Sequence, residues 1–282
     1  MSDAAPAKDS NAKLAIIAGS GRLPAQLVDA CRNSGRPVFV LAFSDVTDPE
    51  TYSDVPYAVV KLEKVGDAIA ALRKAGITEL VMAGKVRRPS LIGLRPDKTT
   101  ARLLAHMGGS FLSGDNALFS SLIAFLEEEG FKIIGADDVM RDLLAPEGIM
   151  GRVKPSENSL ADIKKGMRIA KELGRLDIGQ AVVVENSYVL GVEAAEGTDA
   201  MLIRCANLKQ EERAGVLVKA KKPRQEARVD LPAIGPATVE NVYAAGLTGI
   251  AVEAGGSLIL DKDQVVSRAN KLGIFVMGVH HE

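Results

Sequence analysis

Short apolar runs alternate with glycine-terminated amphipathic segments through about five repeats in the first 140 residues of this 282-residue chain. Such alternation narrows the fold sharply. A strand that follows a helix returns to its sheet in the same direction as the strand before it, so the repeats imply a parallel sheet covered by helices. The run Leu14–Ala18 precedes Gly19-Ser20-Gly21; a helix follows over Leu23–Asn33, closed by Gly35, then a strand over 37–43. Further strands are expected at Tyr57–Val60, Glu79–Ala83 and 131–135, and helices at 65–75, 99–106 and 115–129. The expected architecture is a doubly wound α/β domain.

Two turns in this half carry phosphate chemistry. Gly19, Ser20 and Gly21 lie between a strand and a helix, where glycines let backbone N–H groups approach a phosphate. The third glycine of a dinucleotide fingerprint is missing, and Phe43-Ser44 stand where an acidic residue would hold a ribose. Both absences count against a dinucleotide-dependent oxidoreductase. After the strand ending at Ala83 comes Gly84-Lys85-Val86-Arg87-Arg88-Pro89. Lys85, Arg87 and Arg88 at the carboxyl end of a strand suit a diphosphate clamp, the arginines through bidentate bonds and the lysine as a point charge. A solvated surface patch is the plain alternative. Asp115 fits the N-cap of the next helix, or a substrate contact. His106 stands alone and reads as structural.

The pattern breaks at 143–158, where Pro146, Gly148, Gly151, Pro155 and Asn158 fall together and suggest a linker between domains. The expected division is a disordered tail at 1–11, a Rossmann-like phosphate- or nucleotide-binding domain at 12–142, the linker, and a C-terminal domain at 159–282. That second domain opens with a helix over 159–173. Strands 180–185 and 188–193 meet at Asn186-Ser187 in a tight hairpin. A turn over 194–199 leads to a helix over 200–208. Thr198 or Asp199 caps it, or meets metal and phosphate. Strands at 215–218, 249–253, 257–260 and 274–279 and helices at 239–245 and 261–272 complete a mixed α/β (α+β) domain.

The segment 219–238 is where chemistry concentrates. It holds five cations, the carboxylates Glu226 and Asp230, and Pro223, Pro232 and Pro236. Proline lacks an N–H and disfavours helix in the residue before it, so the segment reads as a stiffened loop. Arg228 and Asp230, two apart, point to one side of an extended chain. Cations hold phosphate oxygens; carboxylates hold a metal or take a proton. A charge-rich surface loop is again the alternative.

Composition removes several classes. A net charge of -1 argues against a nucleic-acid partner, which needs a basic face. Cys31 and Cys205 have no metal or redox spacing and read as buried thiols of a cytoplasmic protein. Only His106, His280 and His281 are available, too few for a histidine-rich dinuclear metal site, so any metal is an oxygen-ligated hard cation such as Mg²⁺. No apolar run approaches the ~20 residues that span a bilayer. Peripheral contact with an inner membrane and a homodimer stay open.

Met82-Ala83-Gly84-Lys85-Val86-Arg87-Arg88-Pro89, Glu196-Gly197-Thr198-Asp199, and the run from Lys222 to Pro232 occur in that order. With them the chain resembles the UDP-2,3-diacylglucosamine pyrophosphatases of lipid A biosynthesis, the type unrelated to metallophosphoesterases, from about Lys13 to Gly278. The resemblance implies Mg²⁺-dependent hydrolysis of a nucleotide-sugar lipid to UMP and 2,3-diacylglucosamine 1-phosphate, with water attacking the glucosamine-side phosphorus. It implies that Lys85, Arg87, Arg88 and the turn Gly19 to Gly21 meet phosphate. Asp230 and Glu226 would serve metal or water, and Lys222, Gln225 and Arg228 would hold substrate. Glu226 stands where the family pattern has Asp, and Asn116 follows Asp115 where a second Asp is common. Asp230 is therefore weighted over Glu226, and Asn116 is given no metal role. A non-catalytic binding module for a nucleotide or acidic lipid would need the cations but not these carboxylates.

Overall fold

The computed structural model describes residues 12–86, 96–108, 115–223 and 231–280, with the backbone alone at 115 and 116. The expected tail at 1–11 lies outside them. The chain divides into two compact units: Met1–Ser113 together with Ala117–Met140, and Arg141–Glu282 together with Gly114–Asn116.

In the first unit, strands β1 (Leu14–Ala18), β2 (Val38–Phe43), β3 (Tyr57–Val60), β4 (Glu79–Ala83) and β5 (Lys132–Ile134) form one parallel sheet in the order β3-β2-β1-β4-β5. Helices α1 (Leu23–Asn33), α2 (Val65–Lys74), α3 (Lys98–Met107), α4 (Asp115–Glu128) and a single turn, α5 (Ala136–Val139), flank it. The central strands are buried runs, as parallel strands covered on both faces must be. Asp97 accepts from Thr100 N at 2.7 Å as the N-cap of α3, and its other oxygen accepts from Gly66 N at 2.9 Å in the first turn of α2. Burial alone would raise the Asp97 pKa; the Thr100 N–H and hydroxyl and the Gly66 N–H outweigh it and hold the carboxyl below its usual range. Stability from a depressed carboxyl is present above the unfolded value of 3.8 and is lost as pH falls through the lower folded value. Asp97→Ala is therefore expected to lower unfolding free energy by about 1–2 kcal/mol at neutral pH, with the gap to the parent closing in acid below that window, as read by urea unfolding.

In the second unit, β6 (Gly148–Met150), β7 (Ala181–Glu185), β8 (Tyr188–Val192), β9 (Val216–Lys219), β11 (Gly249–Glu253) and β13 (Phe275–Val279) form a sheet in the order β6-β13-β11-β9-β7-β8. Strands β9, β11 and β13 run parallel; β6 and β7 oppose their neighbours β13 and β9. A small parallel pair, β10 (Ala233–Ile234) with β12 (Leu258–Ile259), stands apart. Alternate residues face alternate sides, with period two. Val182, Val184, Val216, Val218 and Ala251 pack on Ile163, Met167 and Ala170 of α6 (Glu157–Arg175). Val183, Leu217, Ile250, Val252 and Val276 pack on α7 (Gly197–Ala206), α8 (Pro236–Ala244) and α9 (Lys262–Leu272) through Met201, Leu202, Val239, Val242 and Val265. A Cβ on Gly166 would come within 2.5 Å of Val218 Cγ2, so glycine there lets α6 close onto β9. Asn186 and Ser187 both take positive φ, the primed turn that suits a two-residue hairpin. Buried Asp162 of α6 accepts from both their N–H groups, at 3.0 and 2.6 Å.

Three expectations change. Within the segment read as a linker, Gly148–Met150 is an edge strand of this sheet and Ala145 is buried. The helix expected from residue 200 starts at Gly197, whose φ of 79° turns the chain into it; neither Thr198 nor Asp199 is its N-cap. Pro236, read as a loop residue, is the first residue of α8, where its missing N–H would have no helical partner in any case.

Candidate functional site

Strand order reverses between β1 and β4, because the chain builds outward from β1 on one side and restarts at β4 on the other. Loops that follow such neighbouring strands part at the carboxyl edge, the usual ligand crevice of an open parallel sheet. Here they are tied together. Ser20 N donates to Lys85 O and Lys85 N to Ser20 O, both at 2.9 Å, and Ser20 Oγ donates to Lys85 O at 3.0 Å. A Cβ on Gly19 would lie 2.7 Å from Lys85 O, and one on Gly84, at φ 87°, 2.6 Å from Ser20 O. Gly19, Ser20 and Lys85 thus form one clasp, with the Lys85 side chain exposed at its edge and Gly21 at φ 100° beside it. The Ser20 N–H, expected to face a phosphate, is used inside the clasp. Arg87 and Arg88 lie outside the described residues. Asp115, expected as the N-cap of this helix, is instead the first helical residue of α4.

In the second unit, the carboxyl ends of β9 and β11 carry a polar network at the two described ends of the charged segment. Lys219, the last residue of β9, is 6% exposed. Its Nζ donates to Thr198 Oγ1 at 3.1 Å and to Ala233 O at 3.2 Å. Thr198 Oγ1 donates to Glu193 Oε1 at 2.6 Å, and Glu193 Oε2 accepts from Gln180 N at 3.1 Å. A threonine hydroxyl has one proton, so its bond to Glu193 leaves a lone pair facing Lys219. Next to it, Lys171 Nζ of α6 grips both oxygens of Glu253 at 2.6 and 2.7 Å and donates to Lys221 O at 3.1 Å. Lys221 N donates to Glu253 Oε2 at 2.8 Å. Lys222 Nζ pairs with Asp177 at 2.7 Å, and Asp199 accepts from Asn241 Nδ2 at 2.9 Å. Pro232 O accepts from Leu258 N at 2.8 Å. Both roots of the loop are therefore fixed on the sheet edge.

Gln225, Glu226, Arg228 and Asp230 lie outside the described residues. Among the described residues no group of three or more His, Cys, Asp or Glu could hold a metal ion. Glu193 and Glu253 are already committed to the bonds above. The donors named for Mg²⁺, Glu226 and Asp230, are hard oxygen ligands of the kind that cation takes. Cys31 and Cys205 are buried; burial pushes both thiols up, partly offset by Arg36 and Arg204 respectively. His106 packs edge-on to Phe125, with Nδ1 3.8 Å from Glu128, a structural setting. Among the described residues no helix is long and apolar enough to cross a membrane.

Sequence reasoning missed Glu193, Lys171, Glu253 and Asp177, and counted Lys219 only as one of the five cations of the charged segment. Two left a trace: Lys219 and Glu253 are charges ending otherwise apolar strand runs.

Comparison with known proteins places the chain. The family model described as the LpxI N-terminal domain matches residues 13–143, and that of the LpxI C-terminal domain matches residues 146–277. The chain belongs to the LpxI family. A relative from Caulobacter vibrioides (strain ATCC 19089 / CIP 103742 / CB 15), the UDP-2,3-diacylglucosamine pyrophosphatase LpxI, is 43% identical over 273 residues, covering 95% of this chain and 97% of the relative. Both LpxI domains thus fall on the two sheets described above. Among solved structures, CobK precorrin-6A reductase is 10% identical, with 96% of this chain and 90% of that one covered at a TM-score of 0.31. N5-carboxyaminoimidazole synthase from Aspergillus clavatus is 13% identical, with 71% and 45% covered at a TM-score of 0.24. Neither likeness carries an argument beside the LpxI match.

Proposed function

We propose that this chain hydrolyses the diphosphate of UDP-2,3-diacylglucosamine, giving UMP and 2,3-diacylglucosamine 1-phosphate in lipid A biosynthesis. The observation that carries the proposal is the 43% identity to a UDP-2,3-diacylglucosamine pyrophosphatase across 95% of the chain. The segment 220–232 suits that chemistry. Its loop roots are anchored by Lys171, Lys219 and Lys222, and its sequence carries two carboxylates and further cations.

In this proposal Lys85, Arg87 and Arg88 meet diphosphate oxygens, and Lys222, Gln225 and Arg228 orient the substrate. Mg²⁺, when bound, supplies neutralisation of the diphosphate charge, and Asp230 and Glu226 are the carboxylates that would hold it. Asp230 also takes the proton from the attacking water, directed at the glucosamine-side phosphorus. Cations around the leaving phosphate stabilise the charge that develops there.

The test is an assay of the purified chain with UDP-2,3-diacylglucosamine in ¹⁸O-labelled water, with Mg²⁺ and with EDTA. UMP release with Mg²⁺ and its loss with EDTA are expected, with the label on the sugar phosphate. Label on UMP would reverse the direction of attack. No UMP with any divalent ion would leave a binding module.

A further inference from the structure

We propose that Lys219 is a positioning residue that fixes the spacing between residues 219–223 and 231–235, the two described ends of the charged segment; the proposal rests on the functional reading above, in which that segment carries the reacting carboxylates. Lys219 shares its face of β9 with Leu217, which belongs to the core against α7 and α8. A lysine ending such a strand would ordinarily reach for solvent. This one is 6% exposed and is spent on internal acceptors. Its bond to Ala233 O joins the strand that leads into the loop to the strand that leads out. Its bond to Thr198 ties both to the first turn of α7. From Thr198 the chain of bonds continues through Glu193, 8% exposed, to the backbone at Gln180. The ammonium thus joins the strand ends at Lys219 and Ala233 to the first turn of α7 directly, and to Gln180 through Glu193.

The roots of a loop decide where the groups between them can go. Lys221 and Lys222 hold the entering root to Glu253 and Asp177, and Pro232 O holds the returning root to Leu258. Only Lys219 bridges the two roots directly among the bonds described. Without that bridge each root keeps its own anchor and the distance between them is released. Catalysis is more sensitive to such a shift than folding is, since misplacing a reacting group by about 1 Å costs roughly 10²-fold in rate.

The test is Lys219→Met in the full chain, a change that keeps the length of the side chain and removes the ammonium. Hydrogen exchange at 231–235 is expected to quicken by about 10-fold while exchange in α6 and β11 stays as in the parent. With UDP-2,3-diacylglucosamine, kcat is expected to fall by about 10²-fold and KM to change by less than about 3-fold. Unchanged exchange at 231–235 overturns the proposal. So does faster exchange spread evenly over both faces of the sheet, with kcat and KM moving together, which is what a merely structural lysine would give. If Lys219→Met does not fold, Thr198→Val leaves the charge and removes the acceptor that aims the ammonium at Ala233 O; the same local exchange change supports the proposal and its absence overturns it. If the parent releases no UMP, the functional reading fails on its own, and exchange alone decides whether Lys219 fixes the loop roots.

Discussion

Asp230→Ala is expected to lower kcat by about 10³-fold while leaving substrate affinity within a few-fold of the parent. General-base catalysis contributes roughly 10²–10⁴-fold, and loss of a charge-bearing ligand acts in the same range. The cations of the loop and of the Lys85 turn are untouched by this change, so binding should survive. Isothermal titration with substrate in EDTA, beside turnover in Mg²⁺, separates the two effects. Turnover close to that of the parent would remove Asp230 from the chemistry. Glu226→Gln is expected to be the milder change, because the weight of the pattern falls on Asp230.

Lys171→Met is expected to cost roughly 3 kcal/mol of unfolding free energy, the scale of a buried ion pair that loses one partner. The pair is well inside: the Lys171 side chain is 10% exposed and that of Glu253 is 17% exposed. Removing the ammonium leaves the Glu253 carboxylate with Lys221 N, and it also frees Lys221 O. The double change Lys171→Met with Glu253→Gln leaves no buried charge and should recover part of the loss. Urea unfolding of the three proteins measures both terms. A single-variant loss under about 1 kcal/mol, the scale of an exposed pair, would show that water reaches the pair and that it anchors nothing.

The first sheet was legible because its strands are short apolar runs set between turns, those at Leu14–Ala18, Val38–Phe43 and Glu79–Ala83 almost wholly buried. Leu14–Ala18, Tyr57–Val60 and Glu79–Ala83 fall at the expected residues. The second unit resisted where its strands are short. Gly148–Met150 has three residues between prolines and glycines, and Ala233–Ile234 has two, so neither shows a period. Both exist because a neighbouring strand offers hydrogen bonds, a tertiary fact that local pattern does not carry. The polar network was hidden for the same reason. Lys171 and Glu253 are 82 positions apart, and Lys219 and Thr198 are 21 apart. Composition marked the loop as chemically charged; only the sheet reveals what holds its roots.

The clasp between the turns after β1 and β4 limits how this family member can be altered. Each glycine is obstructed by main-chain atoms of the opposite turn, not by a side chain. A bulky residue opposing another side chain can be accommodated by trimming its neighbour. Here no neighbour can be trimmed, since a carbonyl oxygen belongs to every residue type. Gly19 and Gly84 therefore have no second-site suppressors among side-chain substitutions, and a library randomised at both positions should return glycine at both.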